Sequence, residues 1–465
     1  MTNWRPDLTG ADSPLYHAIA LALVRDIESG AVPPGTRLPT HRALARRLNV
    51  NVGTITRAYA EVARRGLIDG EVGRGSYVRD PMARSARAAA PLSVPEGMLD
   101  LAFNLPSGGP SPEEQAAALK ALAQSRTLHA ASSGYSIGGT LEQRQSATKW
   151  LARGGMTVDP ERVLVTGGAQ LALAVALATC AQPGDTILAE SLTYAGLKSQ
   201  AQLLGIRVQP IEFDSGGIVA EELENACRTG SVKAVYCQPN AQNPIGTSLS
   251  NERRRAIAEA ARRCELSILE DDTYSYMAAD GARPIATFAP ERTLYLTTLT
   301  KCLLAGLRVG YLVTPEGNEA THERALMNSG ALGAMPATIS VELASHWIES
   351  GVADRAATAK RDEARARQQL ARKLLGEFES PTCPDSPHLW LPLPEPWRAS
   401  DFVARARRAG IAVSSPEAFA IGRAAAPHAV RICLATPATR EELASGLQRL
   451  AALLASRPSP TAAVV

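Results

Sequence analysis

The 465-residue sequence predicts an α/β protein in two parts, a small helical domain followed by a large one with a mostly parallel central sheet. Three observations carry this. From Asp100 onward short β-branched runs alternate with helical patterns, as strand–helix–strand units do. Ahead of them, amphipathic helical segments are packed into a short, arginine-rich stretch. Between the two, DPMARSARAAAPLSVPEG has no apolar periodicity and is rich in Ala, Pro, Ser and Arg, so it reads as a tether. The expected boundaries are 12–80 for the small domain, 81–97 for the linker and 98–457 for the large domain.

A hydrophobic content of 45% is enough for a substantial core. The longest apolar runs, such as LALAVALATC, fall well short of the roughly 20 residues a spanning helix needs. The N-terminus MTNWRPDLTG lacks a charged region followed by an apolar stretch. The reading is therefore a cytoplasmic protein with no membrane partner. The seven cysteines form no C-x-x-C pair, which argues against disulfides, and Cys302 reads as a packing residue. The histidines show no ligand spacing, so no metal is assigned.

A net charge of +3 points to no partner by itself, but its distribution does. Between Pro34 and Arg79 nine arginines stand against three acids. Within this region Tyr16–Ser29 reads as an amphipathic helix with Ile19, Leu23 and Ile27 on one face, ended at Gly30. Thr40 is an N-cap for HRALARRL, Asn49 a stop, Asn51 the next cap, and VGTITRAYAEVARRG a longer helix closed by Gly66. Two helices joined by a tight turn make a helix-turn-helix, whose second helix enters the DNA major groove. LIDGEVGRGSYV then reads as two short strands around a Gly-Arg tip, a wing.

The large domain places its motifs after strands, where an α/β sheet binds ligands. TGGAQ follows RVLVT and opens a helix, so Gly168, Ala169 and Gln170 offer backbone N–H groups to a phosphate. SLTYAG follows DTILAE and offers the Tyr194 ring for stacking. QPNAQNPIG follows VKAVYC and offers the Asn243 amide to a phenolate-type oxygen. LEDDTY follows LSI and sets Asp271 and Tyr274 beyond a strand end, where a carboxylate can keep a pyridine nitrogen protonated. TTLTK, after TLYL, supplies Thr298 and Thr300 hydroxyls and the Lys301 amine. Arg308, seven residues on, supplies a bidentate phosphate contact.

Over about 65 residues, PLYHAIALALVRDIESGAVPPGTRLPTHRALARRLNV and RRGLIDGEVGRGSYV resemble the winged-helix domain of the GntR regulators. That resemblance implies that Arg42, Asn51, Gly53, Thr54, Arg57 and Arg74 face DNA. Val52 stands where many such domains carry arginine, so an apolar contact, for example to a thymine methyl, replaces it. From about residue 98 to 455 the ordered motifs resemble the fold-type I aminotransferases. The resemblance implies pyridoxal 5′-phosphate (PLP) in imine linkage to Lys301, with Asn243 and Tyr274 at the ring oxygen and Asp271 at the ring nitrogen. It puts Gly168, Ala169, Gln170, Thr298, Thr300 and Arg308 at the phosphate. It also implies that Tyr135, in SGYSIGGTLEQR, reaches the partner's phosphate across a dimer, and that Arg431, in VRICLA, grips a substrate carboxylate. CLLAG after the lysine departs from the commoner TLAPG, and threonines replace serines before it, with the chemistry preserved.

The two parts together resemble the MocR subfamily, which implies a head-to-tail, domain-swapped homodimer that binds operator DNA and uses PLP to sense a small amine or amino acid. Two other readings stand beside it. One is a working aminotransferase to which the DNA domain is secondary, since no catalytic residue is missing. The other is a sensor of PLP itself.

Overall fold

The computed structural model describes residues 4–7, 14–33, 36–64, 67–71, 75–78, 95, 97–105, 108–124, 136–376, 382–422 and 426–456. Contacts divide the chain into two units, Met1–Pro91 and Leu92–Val465. Most of the expected linker, the expected helix stop at Gly66, Arg74 and Tyr135 lie outside the described residues.

The first unit is built on helices Leu15–Glu28, His41–Leu48 and Val52–Arg64 and on strands β1 (Ile68–Glu71) and β2 (Gly75–Val78). Its core joins Ile19, Leu23, Leu44, Ile55 and Val62, all without solvent exposure. Each such side chain contributes about 1.5–3 kcal/mol on burial. Thr40 caps the second helix, its hydroxyl accepting from Ala43 N at 3.2 Å. Asn49 ends that helix in the left-handed conformation, φ 52°, a region that asparagine tolerates better than most residues. The antiparallel β1–β2 wing gains a further rung from the loop before the second helix, through Leu38 N to Ser76 O (2.8 Å) and Val78 N to Thr36 O (2.9 Å).

The second unit carries strands β3 (Leu99–Leu101), β4 (Val163–Thr166), β5 (Thr186–Glu190), β6 (Arg207–Ile211), β7 (Phe213–Asp214), β8 (Gly217–Ile218), β9 (Val232–Cys237), β10 (Ser267–Asp271), β11 (Thr293–Thr298), β12 (Gly310–Val313), β13 (His388–Pro392), β14 (Ile411–Val413) and β15 (Ala429–Cys433). Seven of them form the main sheet in the order β4-β12-β11-β10-β9-β5-β6. Within it only β12 runs against its neighbours. Helices Ala169–Cys180, Ala195–Leu203 and Asn251–Arg263 supply crossovers. The central strands are buried along most of their length, the continuous apolar pattern of a sheet covered on both faces.

Because the strands are parallel, the ends of β4, β5, β9, β10 and β11 emerge on one edge, where a ligand crevice forms. The antiparallel β12 begins at that same edge, which brings Arg308 to it. Helix Val352–Leu375 leads to a smaller lobe of β13, β15, β14 and β3 with helices Ala399–Arg408 and Arg440–Ala455, packed on Trp397, Phe402 and Leu447. Residues just after β3 and residues on β13 and β15 meet the crevice, so both ends of the unit reach it.

Candidate functional site

The phosphate-sized space is built by an absent side chain. Gly168 sits between β4 and helix Ala169–Cys180 with φ 94°, a conformation available to glycine at little cost. A Cβ there would lie 3.6 Å from Arg308 Cζ and 3.6 Å from Thr300 Oγ1. Glycine, hydroxyl and guanidinium thus surround one small volume, and no side chain caps the helix that opens there. Its first N–H groups remain available to an anion. Close approach at Gly310 makes this possible, since a Cβ there would come within 2.9 Å of the Gly168 carbonyl carbon. Arg308 is itself left-handed at φ 53°. A non-glycine residue held so costs on the order of 1–3 kcal/mol, a strain that concentrates at functional sites.

The expected donors divide. Thr300 lines the cradle. Thr298 is buried and gives its hydroxyl to Val309 O at 2.8 Å while accepting from Thr300 N at 3.1 Å, so it frames the turn that presents Thr300. Ala169 contributes only helix backbone, and Gln170 Nε2 donates to the Tyr194 hydroxyl at 3.1 Å, fixing that ring beside the crevice.

Lys301 follows β11. Burial, with Arg431 and Arg308 nearby, pushes its ammonium down to about 8, so roughly a tenth is free nucleophilic amine at pH 7 and about half at pH 8. Its Nζ donates to the Asn104 carbonyl. Asp271 ends β10, fully buried, and accepts from Thr273 Oγ1 (2.6 Å), Tyr236 Oη (2.7 Å), Thr273 N (3.2 Å) and Gln238 Nε2 (3.3 Å). Burial still raises its carboxyl above the usual range. A cationic ring nitrogen is the partner that such a carboxylate lacks among the described residues.

Arg431, on β15, lies over the Phe419 ring at 4.6 Å and donates to Asn243 Oδ1 (2.7 Å), to Ser414 Oγ (3.1 Å) and to the Ala102 carbonyl. Its buried Nε has no hydrogen-bond partner among the described residues. Tyr274 is buried and accepts from Asn104 Nδ2 at 2.8 Å. Cys302 is fully buried and its thiol is pushed up to about 12, a packing residue. A cavity of about 420 Å³, within the range of small-molecule pockets, opens beside Lys301 among Asn104, Tyr276, Met277, Lys360 and Leu434. Sequence reading missed Asn104, His388, Tyr236, Gln238 and Thr273. Gln238 opens QPNAQNPIG, Tyr236 sits in the strand run VKAVYC before it and Thr273 lies inside EDDTY, whereas Asn104 and His388 lie in no such motif.

In the first unit helix His41–Leu48 presents Arg42, and the start of helix Val52–Arg64 presents Asn51, Gly53 and Arg57, at the surface, with Val52 41% exposed and Thr54 half-buried. Asn51 Oδ1 accepts from Gly53 N at 2.8 Å, so this side chain starts the helix as well as facing outward. Tyr59 pins the preceding turn by donating to Pro39 O at 3.0 Å and packing edge-on against His41.

Fold and crevice together define a two-part protein, a winged helix-turn-helix joined to an aminotransferase-type α/β domain. The chain belongs to the aminotransferase class I and II family over residues 96–450, and carries a domain of the bacterial regulatory proteins, gntR family, over residues 15–78. This is the MocR arrangement. It is 30% identical over 452 residues, 97% of each chain, to the uncharacterized HTH-type transcriptional regulator YdeF of Bacillus subtilis. It is 27% identical to the HTH-type pyridoxine biosynthesis transcriptional regulator PdxR of Corynebacterium glutamicum, over 76% of this chain and 77% of that one. Among solved structures, a kynurenine aminotransferase of Pyrococcus horikoshii shares the fold with TM-score 0.70 at 22% identity, covering 81% of this chain and 95% of that one. Among the described residues no helix is long and apolar enough to cross a membrane.

Proposed function

We propose that this chain is a DNA-binding transcriptional regulator of the cytoplasm whose large domain holds PLP and responds to a small amine or amino acid. The observation that carries it is the meeting of the Gly168–Thr300–Arg308 cradle with Lys301, Asp271 and Arg431 on one sheet edge, in a chain that begins with a helix-turn-helix. The residues fit the cofactor. The cradle and the Ala169 helix start take the phosphate, Asp271 the ring nitrogen, Asn243 and Tyr274 the ring oxygen, Tyr194 a ring face, and Lys301 the aldehyde carbon. Bound PLP supplies an electrophilic carbon and an electron sink.

The chain's own groups do the rest. Lys301, half-deprotonated near pH 8, would hold the cofactor at its aldehyde carbon and would be the amine that an effector amine displaces. Arg431 turns its guanidinium from Asn243 toward the effector's carboxylate, and the cavity beside Lys301 takes a side chain. In a homodimer, with Tyr135 reaching the partner's phosphate, closure around effector changes how the two helix-turn-helix units are presented to DNA. Such a switch requires that the effector bind one arrangement better than the other.

The test is an absorbance titration of the full chain and of Lys301→Ala with PLP, then with amines and amino acids. DNA binding is followed on a fragment selected from a random pool. A visible band that is lost in the variant, and altered by one amine that also changes DNA affinity, is the expected result. A band with no coupling to DNA binding would remove the sensor, and sustained turnover of an amino acid with a keto acid would make the chain an aminotransferase.

A further inference from the structure

Asn104, three residues beyond β3, is a junction. Its side-chain Nδ2 donates to Tyr274 Oη at 2.8 Å and lies 3.1 Å from His388 Nδ1, while its main-chain carbonyl accepts from Lys301 Nζ. His388 is fully buried on β13, and its Nε2 lies 3.1 Å from the Gln242 carbonyl. A carbonyl only accepts, so Nε2 carries the proton and Nδ1 is the acceptor. Burial beside Arg431 keeps this imidazole neutral, pushed down to about 3. Both amide hydrogens of Asn104 are therefore assigned, one to Tyr274 and one to His388.

A phenol oxygen that accepts from an amide still has one hydrogen bond to give. Among the described residues the Tyr274 proton has no acceptor. Tyr274 is thereby fixed as a donor into the crevice, and the same residue that fixes it holds the Lys301 amine.

We propose that Asn104 and His388 are positioning residues that set the direction of the Tyr274 hydrogen bond, so that Tyr274 donates to the ring oxygen of the bound cofactor while the main-chain carbonyl at Asn104 holds Lys301 in place for the aldehyde. The inference rests on the PLP reading above. His388 acts at one remove, by occupying the second amide hydrogen and preventing the amide from flipping its oxygen toward Tyr274. An amide turned over would accept the Tyr274 proton and withdraw it from the crevice.

A donor at the ring oxygen favours the ionised oxygen, most of all once the adjacent nitrogen has lost its proton. It therefore lowers the pH at which the visible band of Lys301-bound PLP titrates. The groups facing this pair are Arg431, Cys433, Tyr194 and Asp271 around Tyr274, and Cys433, Arg431, Arg308 and Lys360 around Lys301. They are common to all the variants below.

The experiment is a pH titration of that band in PLP-loaded full-length protein. Tyr274→Phe sets the full effect, expected to raise the midpoint by about one pH unit, the scale of one hydrogen bond to a charged acceptor. Asn104→Asp, whose carboxylate accepts the tyrosine proton, is expected to raise it at least as far. His388→Gln keeps the donor toward Gln242 but loses the acceptor facing Asn104, adds no charge, and is expected to raise the midpoint by about half as much or more. His388→Asn places its side-chain oxygen where Nδ1 accepted and is expected to stay near wild type. If Asn104→Asp and His388→Gln titrate as wild type while Tyr274→Phe moves, the positioning role is overturned. If the two His388 variants move equally, the residue fills space only and its part is overturned. If Tyr274→Phe itself does not move, Tyr274 gives no hydrogen bond to the ring and the inference falls. Absence of the band in wild-type protein would instead overturn the PLP reading.

Discussion

At the scale of single residues, the site is an arrangement of protonation states as much as of positions. Lys301 is held down to about 8 from 10.5, first by burial and then by two arginines. The neutral amine is the form that attacks an aldehyde, so the rate of PLP capture should rise with pH, reach half its limit near pH 8 and level off above. Stopped-flow absorbance across pH 6.5–9.5 measures this; a midpoint above 10 would mean that the crevice does not shift the lysine. Gly168 answers to space and backbone together. Gly168→Ala forces a side chain into φ 94° and points a methyl at Arg308 and Thr300. Strain on the order of 1–3 kcal/mol, added to lost room, should weaken PLP binding at least about tenfold while the fold persists. Equilibrium dialysis with circular dichroism on the same sample separates the two effects. Both residues were legible in the sequence because glycine and lysine after strands have few other uses in such order. Asn104 and His388 were not. Their roles depend on atoms hundreds of positions apart, and neither residue type marks itself in a loop or a strand.

At the scale of elements, the local chemistry of the chain and its folded form agree where capping and periodicity decide. Thr40 and Asn49 bound the second helix as read, the Asn51 side chain starts the third, and each strand run preceding a motif is a strand. Thr40→Ala removes the hydroxyl that satisfies Ala43 N and should destabilise the N-terminal unit by about 1 kcal/mol. Chemical denaturation followed in that unit checks it, and no change would show that solvent serves the helix end equally well. Where an element's job is to support another, the structure adds contacts that local chemistry does not specify. Thr298 reads as a phosphate ligand from its place before the lysine, yet its buried hydroxyl is bonded to the Val309 carbonyl. Gln170 reads as a backbone N–H donor to phosphate, and the structure adds a role for its side chain, which donates to the Tyr194 hydroxyl. A sequence shows which polar group is near a turn, whereas the partner of that group depends on the neighbouring strand.

At the scale of the whole molecule, the large unit buries a row of acids around the sheet edge, and this gives stability a pH dependence of definite sign. Glu190, at the end of β5, is fully buried and is raised to about 8 from 4.5, with Gln242 Nε2 at 2.9 Å as its donor. A folded value above the unfolded one means that the folded state binds the extra proton, so stability is present below about pH 4.5 and is lost as pH rises toward 8. Glu190→Gln stays neutral and should gain on wild type across that window, by on the order of 1 kcal/mol per pH unit. Urea denaturation at pH 5 and pH 8 tests this, and a constant difference would mean that Glu190 is ionised in the fold. The sequence by itself determined the two-part plan, the winged helix-turn-helix, the alternating α/β pattern and the ordered set of cofactor motifs. Those depend on periodicity, turn chemistry and residues close together in the chain. Only the tertiary structure decided which hydroxyl faces the cradle, which group withholds or frees the Tyr274 proton, and which acids lie buried together. Direction and burial arise from contacts between distant segments, brought to one edge by parallel strands and closed over by a lobe formed from both ends of the domain.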